Sequence, residues 1–228
     1  MRVRKKPWAA AELSGNDRFL NDPPSRKGSW REWAGGRPLH AELGCGKGRF
    51  VSQMAVNHPE ICFAALERDP TIAAAAARKA REQNSPVTFV IGDVSGIETW
   101  LAPGEVSRFY INFCDPWPKK KWAKRRLTHG AFLAVYRRLL RPGGDLHFKT
   151  DNRELFTFSL EQFAQNGWGL RQVSLDLHGT GAVRDVMTEY EERFSFQGLP
   201  IFRLEAYPLT GLSEQAARED SADNESLS

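Results

Sequence analysis

A short proline-rich motif holds the residues most capable of chemistry in this chain. Asp115 and Trp117 are each followed by a proline, and Lys119, Lys120 and Lys121 come directly after. Because proline restricts the residue before it, we expect Asp115 and Trp117 to lie on a stiff, extended turn. A carboxylate, an aromatic plane and cations together suit a guanine base and its phosphates. The alternative is a plain strand-to-helix turn followed by a solvated basic helix.

The segment that begins at this motif is strongly basic. Residues 119–141 contain nine Lys or Arg and no Asp or Glu. Contacts of such cations with a nucleic-acid backbone give salt-sensitive affinity without reading sequence. We therefore predict RNA-backbone contacts for Lys120, Lys121, Lys124, Arg125 and Arg126, with further contacts from the arm at residues 2–6.

A glycine-rich loop follows the first predicted strand. Glu42 stands two residues before Gly44, and Gly46 and Gly48 complete a Gly-x-Gly-x-Gly pattern. Glycines let the backbone approach a ligand at a tight turn. The loop lacks the residues of a P-loop, and Arg49 occupies the place of the third glycine in a dinucleotide fingerprint. An acid two residues ahead of the first glycine is the pattern seen in S-adenosylmethionine-dependent methyltransferases, and it suits the cationic end of that cofactor better than a pyrophosphate.

Four predicted strands in succession end in acids, namely Glu42, Glu67, Asp93 and Asp115. In open α/β sheets, ligands bind beyond the carboxyl ends of the strands. Glu67 suits the two ribose hydroxyls of a nucleoside, and Asp93 suits an adenine amino group. Any one of these acids could instead cap the helix that follows it.

Strands and helices alternate from residue 38 onward, which predicts an α/β fold with a parallel sheet covered on both faces. Apolar runs at 170–177 and 201–207, with no helix of comparable strength between them, predict an antiparallel pair at the sheet edge. The other predicted strands are 39–43, 61–66, 87–91, 108–113 and 146–150. The predicted helices are 47–57, 71–83, 131–140, which a Pro-Gly-Gly sequence at 142–144 should end, and 154–165.

Composition divides the chain into three predicted regions. Residues 1–36 carry eight Lys or Arg against four acids and read as an extended basic arm with one short helix near 9–13. Residues 37–209 form the folded domain. Residues 210–228 read as a disordered acidic tail, since 211–228 carry one Arg against five acids. The body is therefore more basic than the net charge of +4 implies, which favours a polyanionic partner.

Several classes of protein are disfavoured. The three cysteines lie far apart without a Cys-x-x-Cys pair, which favours a reducing, cytoplasmic setting. No apolar run approaches the ~18 residues of a membrane span, and no signal-peptide segment follows the basic N-terminus. The five histidines lack ligand spacing, so we expect no metal.

Over nearly its whole length the chain resembles the bacterial tRNA (guanine-N7-)-methyltransferases. Besides the glycine loop and the proline-rich motif, the matching stretches are Arg4-Lys5-Lys6-Pro7-Trp8, His147-Phe148-Lys149-Thr150-Asp151-Asn152 and Thr188-Glu189-Tyr190-Glu191-Glu192-Arg193-Phe194. Two features depart from the family pattern: Cys45 replaces a Ser or Thr, and the acidic tail lies outside it.

The resemblance implies a Rossmann-like, seven-stranded class I methyltransferase fold and methylation of N7 of guanine 46 in the tRNA variable loop. It implies that Glu42, Gly44, Gly46, Glu67, Asp93 and Asp115 contact S-adenosylmethionine. It also implies that a guanine pocket is formed by Lys119, Asp151, Thr188, Glu189, Tyr190 and Glu191. Because N7 carries a lone pair, we expect Asp115 to assist catalysis electrostatically and not as an obligatory base.

Two alternatives stay open. One is a methyltransferase of another RNA base or of a small molecule, although the acidic pocket and cationic segment disfavour a small molecule. The other is a non-catalytic RNA-binding module that keeps the fold. Thr188 and Glu191 also match a simple helix-capping box, which their spacing alone favours. The sequence does not decide between a monomer and a homodimer.

Overall fold

A seven-stranded sheet organises the chain. The computed structural model describes residues 7–179 and 186–209. In space the strands run in the order β3-β2-β1-β4-β5-β7-β6, with β1 to β5 parallel and β7 antiparallel to both of its neighbours. The predicted α/β fold with an antiparallel edge pair is confirmed. The strands are β1 Leu39–Leu43, β2 Cys62–Glu67, β3 Thr88–Ile91, β4 Val106–Asn112, β5 Leu140–Thr150, β6 Trp168–Ser174 and β7 Phe202–Pro208.

Helices cover both faces of this sheet because successive strand residues point to opposite sides. On one face, Phe63 and Ala65 of β2 pack with the helices that follow β1 and β2. On the other face, Leu66 belongs to the core that contains the helices before and after β5. The helices are α1 Pro7–Gly15, α2 Trp30–Trp33, α3 Arg49–Asn57, α4 Pro70–Glu82, α5 Gly130–Leu139, α6 Arg153–Gln165 and α7 Glu189–Phe196. Short 3-10 helices span Pro23–Arg26, Val94–Thr99 and Lys120–Arg125.

The predicted short helix near 9–13 is confirmed as part of α1, but the prediction of an extended N-terminal arm is wrong for residues 16–36. The side chain of Trp30 is 0% exposed, and its Nε1 donates a hydrogen bond to the Trp100 carbonyl oxygen at 2.9 Å. Phe19 is buried as well and forms a parallel bridge with Phe89. Burying two large aromatic side chains stabilises this docking by several kcal/mol, on the order of 1.5–3 kcal/mol each. Residues 1–6, which carry most of the predicted basic arm contacts, lie outside the described residues, as does the acidic tail.

Two further predictions need correction. α5 ends at Leu139, and the Pro-Gly-Gly sequence that should have stopped it lies inside β5. A Cβ on Gly144 would approach the Ser107 carbonyl oxygen to 3.0 Å, so glycine there allows close contact between β4 and β5. In addition, α7 occupies the stretch between β6 and β7 where no strong helix was predicted. In the described part of the chain, none of these helices has the length and hydropathy needed to cross a bilayer.

Candidate active site

The glycine loop between β1 and α3 is held close to the end of β2. The amides of Gly44 and Cys45 both donate to the Leu66 carbonyl oxygen, at 2.9 and 3.0 Å. Gly44 and Gly46 adopt positive φ angles of 78° and 55°, which L side chains rarely adopt. A Cβ at either position would point into open space. The loop therefore presents bare backbone to a ligand.

Glu67, the last residue of β2, turns its carboxylate toward this loop. Its Oε2 accepts a hydrogen bond from the Gly46 amide at 3.0 Å, and its Oε1 accepts one from the Asp69 amide at 2.9 Å. The side chain is half-buried. Asp69, and not Glu67, caps α4, so the alternative that Glu67 is a helix cap does not hold. The structure brings Glu67 and Gly46 together as the sequence predicted.

Glu42 lies at the centre of the site and is only 2% exposed. Asn112 Nδ2 donates to its Oε1 at 2.9 Å, whereas Oε2 meets no donor with hydrogen-bonding geometry among the described residues. Burial raises the pKa of Glu42 to about 8, although Asn112, the Val51 amide and the Lys149 charge act in the opposite direction. A buried acid with an unpaired oxygen is an expected binding group for a cationic ligand.

Asp93 lies beyond the end of β3 and remains exposed. Its Oδ1 accepts hydrogen bonds from the amide and hydroxyl of Ser95, at 2.9 and 2.7 Å. These bonds lower the pKa of Asp93, with a smaller contribution from Arg68, 3.8 Å away. Asp93 thus caps the 3-10 helix Val94–Thr99, as the alternative interpretation expected, and its second oxygen points toward solvent and Arg68.

The proline-rich turn after β4 is stiff but not extended. Trp117 has a φ angle of 44° and Phe113 one of 52°, both in the left-handed region. Such angles cost a bulky residue on the order of 1–3 kcal/mol and persist only where the surroundings impose them. At Trp117 the guanidinium of Arg126 holds the turn, since it donates to the carbonyl oxygens of Pro116 and Trp117 at 3.0 and 3.1 Å. At Phe113 the amide donates to the Lys149 carbonyl oxygen at 2.9 Å. Asp115 is exposed at the tip of this turn.

The prediction that Arg126 contacts RNA is therefore wrong. Its side chain is buried, and its guanidinium also lies 4.3 Å from the centre of the Phe158 ring. The neighbouring Arg125 is exposed and stacks on Trp117 at 4.9 Å. Lys119 lies 5.0 Å from the centre of the Trp122 ring and Lys121 lies 5.7 Å from it. The remaining predicted RNA contacts, Lys120, Lys121 and Lys124, are exposed in the 3-10 helix Lys120–Arg125. Lys119, which was predicted for the guanine pocket, is exposed next to this helix.

The predicted pocket residues around α7 form the helix-capping box that their spacing favoured, and their role in a guanine pocket stays a prediction. Thr188 Oγ1 accepts from the Glu191 amide at 2.9 Å, and Glu191 Oε2 accepts from the Thr188 amide at 3.3 Å, which is a capping box. Tyr190 is 60% exposed and stacks on Phe113, with ring centres 6.1 Å apart. This stacking brings the start of α7 to the end of β4, where Asp115 lies.

Three acids in the first turn of α7 each pair with a cation from a different element. Glu192 pairs with Arg49 of α3, Glu189 with Lys79 of α4 at 2.7 Å, and Glu191 with Lys149 of β5 at 3.2 Å. Glu191 and Lys149 are both buried. Since Asp151 follows β5 two residues after Lys149 and is exposed, the predicted substrate residues border one region of the sheet edge.

Asn112 and Lys149 are site residues that sequence reasoning missed. Lys149 lies within one of the stretches that match the family, and Asn112 lies within a predicted strand, but neither received a role. The available signal was a polar residue at the end of an otherwise apolar strand, Asn112 after Ile111 and Lys149 after Phe148. A buried polar group in that place needs a partner, which is reason to examine it.

A second polar cluster lies on the same face of the sheet, away from the strand ends. Asp145, His147 and Glu205 present ligand atoms within 4.8 Å of one another. However, Asp145 accepts from Arg108 at 2.6 and 2.9 Å and from Arg171 at 2.6 Å. Burial raises the pKa of Asp145, but its hydrogen bonds with His147 and Arg108 outweigh burial and hold that pKa below its ordinary value. Glu205 is paired with Arg171 and Arg203. These carboxylates are engaged by guanidinium groups, which favours an ion-pair network over a cation site.

The site as a whole fits a nucleoside ligand that carries a cationic group. Glu42 offers an unpaired buried oxygen, the Gly44–Gly46 turn offers open backbone, and Glu67 offers a carboxylate beside the loop. The order of the strands sets the acids along one edge in the sequence Asp93, Glu67, Glu42 and Asp115. The crevice between β1 and β4, where the strand order reverses, is the usual ligand position in such sheets.

Comparison with known proteins agrees with this geometry. Residues 36–204 match a family model described as "Putative methyltransferase". The chain is 44% identical to the tRNA (guanine-N(7)-)-methyltransferase of Geobacillus kaustophilus over 209 residues, which is 90% of this chain and 96% of that protein. It is 46% identical to the enzyme of the same name from Brevibacillus brevis, over 90% of this chain and 98% of that protein.

Solved structures support the fold alone, because their sequences are distant. An antibiotic-related methyltransferase superimposes with a TM-score of 0.57 at 12% identity, covering 92% of this chain and 97% of its own. A 16S rRNA (adenine(1408)-N(1))-methyltransferase variant from Catenulisporales acidiphilia, with cosubstrate SAM, gives 0.56 at 15% identity, covering 82% and 91%. On sequence identity, family match and fold together, the chain belongs to the tRNA (guanine-N(7)-)-methyltransferase family.

Proposed function

We propose that this protein transfers the methyl group of S-adenosylmethionine to N7 of guanine 46 in the variable loop of tRNA. The observation that carries the proposal is the row of acids at the sheet edge, centred on buried Glu42 with its unpaired Oε2. Family membership supports the same reaction, since the relatives carry the name of that activity. A tRNA substrate and three unpaired cysteine thiols support a cytoplasmic location.

The residues of the first half of the site would hold the methyl donor. When bound, S-adenosylmethionine supplies a methyl group made electrophilic by the positive sulfur. Glu42 would pair with the cationic amino group, and Glu67 would accept from the ribose hydroxyls. Asp93 would reach the adenine amino group with the oxygen that Ser95 leaves unused.

The residues of the second half would orient the base. Guanine presents N–H donors at N1 and N2, which a carboxylate can accept, whereas adenine presents an acceptor at N1. Asp151 and Asp115 are exposed carboxylates beyond the ends of β5 and β4, and exposed Tyr190 offers a ring for stacking. These residues would therefore favour guanine over adenine.

Catalysis in this arrangement would consist mainly of alignment. N7 attacks with its own lone pair, so no residue has to remove a proton first. Holding two reactants in line is worth on the order of 7–11 kcal/mol in favourable cases. The methylated purine is cationic, and Asp115 would stabilise the charge that grows on it.

The test is methylation of unmodified tRNA with isotopically labelled S-adenosylmethionine, followed by aniline cleavage, which cuts the chain at 7-methylguanosine. We expect one label per tRNA and one cut at the variable-loop guanine. A tRNA with 7-deazaguanosine at that position, which lacks N7, is the matched control and should accept no label. Label in the control, or cleavage elsewhere, would refute the proposed target.

A further inference from the structure

Lys149 lies between the two halves of the site. It is the second-last residue of β5, is 7% exposed, and is paired in register with Asn112 of β4. Its ammonium group lies 3.2 Å from Glu191 Oε2 and 5.7 Å from the centre of the Phe50 ring, in α3. Taking an ammonium group out of water is costly unless it is paired, so these neighbours fix its position.

A row of polar side chains extends from Lys149 to the proposed site of the methyl donor. Glu42, Asn112 and Lys149 lie on the same face of the adjacent strands β1, β4 and β5, and Asn112 donates to Glu42. The charge of Lys149 lowers the pKa of Glu42, whereas burial and the charge of Glu67 raise it. Among the described residues, the other ionisable side chains near this row include Cys45 beside Glu42, Tyr110 in register with Glu42, and His178, whose Nε2 lies 3.7 Å from Glu191 Oε1.

Stability alone does not account for this buried lysine. The pairs Arg49–Glu192 and Lys79–Glu189 already tie α7 to two other helices, at partly exposed positions. A buried ion pair is often no more stabilising than apolar residues of the same volume, because both charges lose their hydration. A cation at this position is explained if Glu42 and Glu191, the acids on either side of it, must both be ionised for the site to function.

We propose that Lys149 is a positioning residue that couples the two halves of the site. Its ammonium group fixes the Glu191 carboxylate at the start of α7 and favours the ionised form of Glu42 that a cationic ligand requires. The inference rests on the proposed function, which assigns the methyl donor to Glu42 and the base to the α7 side.

The first test uses the ligand-free protein. Glutamate carboxyl carbons labelled with ¹³C are titrated by NMR in wild type, Lys149→Met, Lys149→Arg and Lys79→Met. Glu42 is identified by its loss in Glu42→Gln. We expect the Glu42 pKa to rise in Lys149→Met and to stay near the wild-type value in Lys149→Arg. Lys79→Met removes the ion pair between Lys79 of α4 and Glu189 of α7, which does not involve β1. This variant should leave the Glu42 pKa unchanged. An equal rise in Lys79→Met, or none in Lys149→Met, would overturn the proposal.

The second test measures binding of S-adenosylhomocysteine by calorimetry, since this product carries the same amino group. Each unit by which the Glu42 pKa rises should weaken binding at neutral pH about tenfold. The deficit of Lys149→Met should narrow at about pH 9, because ionisation of Glu42 is then nearly complete in wild type but still increases with pH in the variant. A deficit that does not depend on pH would contradict the coupling.

A double variant separates positioning from folding. In Lys149→Met the Glu191 carboxylate is buried without its partner, so the thermal midpoint should fall. Lys149→Met/Glu191→Gln removes that unpaired charge, and we expect the midpoint to recover while affinity for S-adenosylhomocysteine does not. If affinity recovered together with stability, Lys149 would be merely structural. If wild type bound S-adenosylhomocysteine but methylated no tRNA, the proposed function would fail while the coupling could still be measured.

Discussion

Asn112 Nδ2 donates a hydrogen bond to Glu42 Oε1 across 2.9 Å and so joins the end of β4 to the end of β1. These are the two strands between which the order of the sheet reverses. The bond gives the buried carboxylate a side-chain donor on Oε1. It leaves Oε2 for a ligand, so the contact that orients Glu42 also prepares it for binding.

Glu42 should make the ligand-free protein less stable as pH rises. Its pKa is about 8 in the folded protein against an ordinary value of 4.5. Between these values the folded protein holds a proton that the unfolded chain has lost, so stability is greatest below the lower value and falls toward the upper one. Glu42→Gln removes this loss. We expect urea unfolding to show the variant more stable than wild type near pH 8.5, with weaker binding of S-adenosylhomocysteine.

The control for this prediction is Glu161→Gln, which changes an exposed carboxylate of α6. Its stability should follow the wild-type curve at each pH. If the free energy of unfolding changed with pH in the same way for wild type and Glu42→Gln, Glu42 would not be held protonated by burial.

Gly48→Ala should destabilise the protein by about 1–3 kcal/mol through strain and overpacking. Gly48 has a φ angle of 72°, and a Cβ there would lie 2.9 Å from the Ala76 Cβ of α4. Glycine therefore sets the distance between the start of α3 and α4. Gly96→Ala is the matched control, because Gly96 has open space around it and no positive φ angle. Equal unfolding midpoints in denaturant for the two variants would contradict this account.

Asp115→Asn should lower the methylation rate roughly 100-fold, as expected for loss of one electrostatic contact to the transition state. Asparagine keeps the size and the hydrogen-bonding oxygen but removes the charge. Because N7 needs no base, we expect the pH profiles of variant and wild type to be parallel in single-turnover assays. A loss that tracked one protonatable group near neutral pH would instead indicate an obligatory base. Asp22→Asn, at an exposed position before the first 3-10 helix, should leave the rate unchanged.

Replacing Lys120, Lys121 and Lys124 together by alanine should weaken tRNA binding and flatten its dependence on salt. Three lost phosphate contacts should reduce the slope of log affinity against log salt by about 2 to 3. Filter binding across a series of salt concentrations measures this slope. An unchanged slope would show that the exposed cations of this segment do not contact the RNA backbone.

Arg126→Lys should lower the stability of the protein and leave the salt dependence of tRNA binding unchanged. Lysine keeps the charge but cannot reproduce the fork that holds the Pro116 and Trp117 carbonyl oxygens. We expect a lower thermal midpoint with the salt slope retained. A flattened slope in a variant of wild-type stability would return Arg126 to the RNA-binding residues.

Local sequence was sufficient for much of this molecule. Strand β1 at Leu39–Leu43 was predicted with its observed bounds, and the other strands and the main helices to within a few residues at most ends. Apolar alternation, glycine and proline carry this information because they act over short stretches of backbone. The position of the four acids was predicted in the same way, because the carboxyl ends of parallel strands lie at one edge of the sheet.

Contacts between distant parts of the chain decided the rest. Arg126 and Lys124 are two residues apart in one basic run, yet one is buried against a turn and the other is exposed. Trp30 was predicted to lie in an extended arm, but it is buried in the core and donates to the Trp100 carbonyl oxygen. Likewise Lys149 meets Glu191 only because β5 and α7, separated by nearly forty residues, come together. A sequence pattern gives each residue's type and local backbone, but the partner of a buried charge is set by tertiary packing.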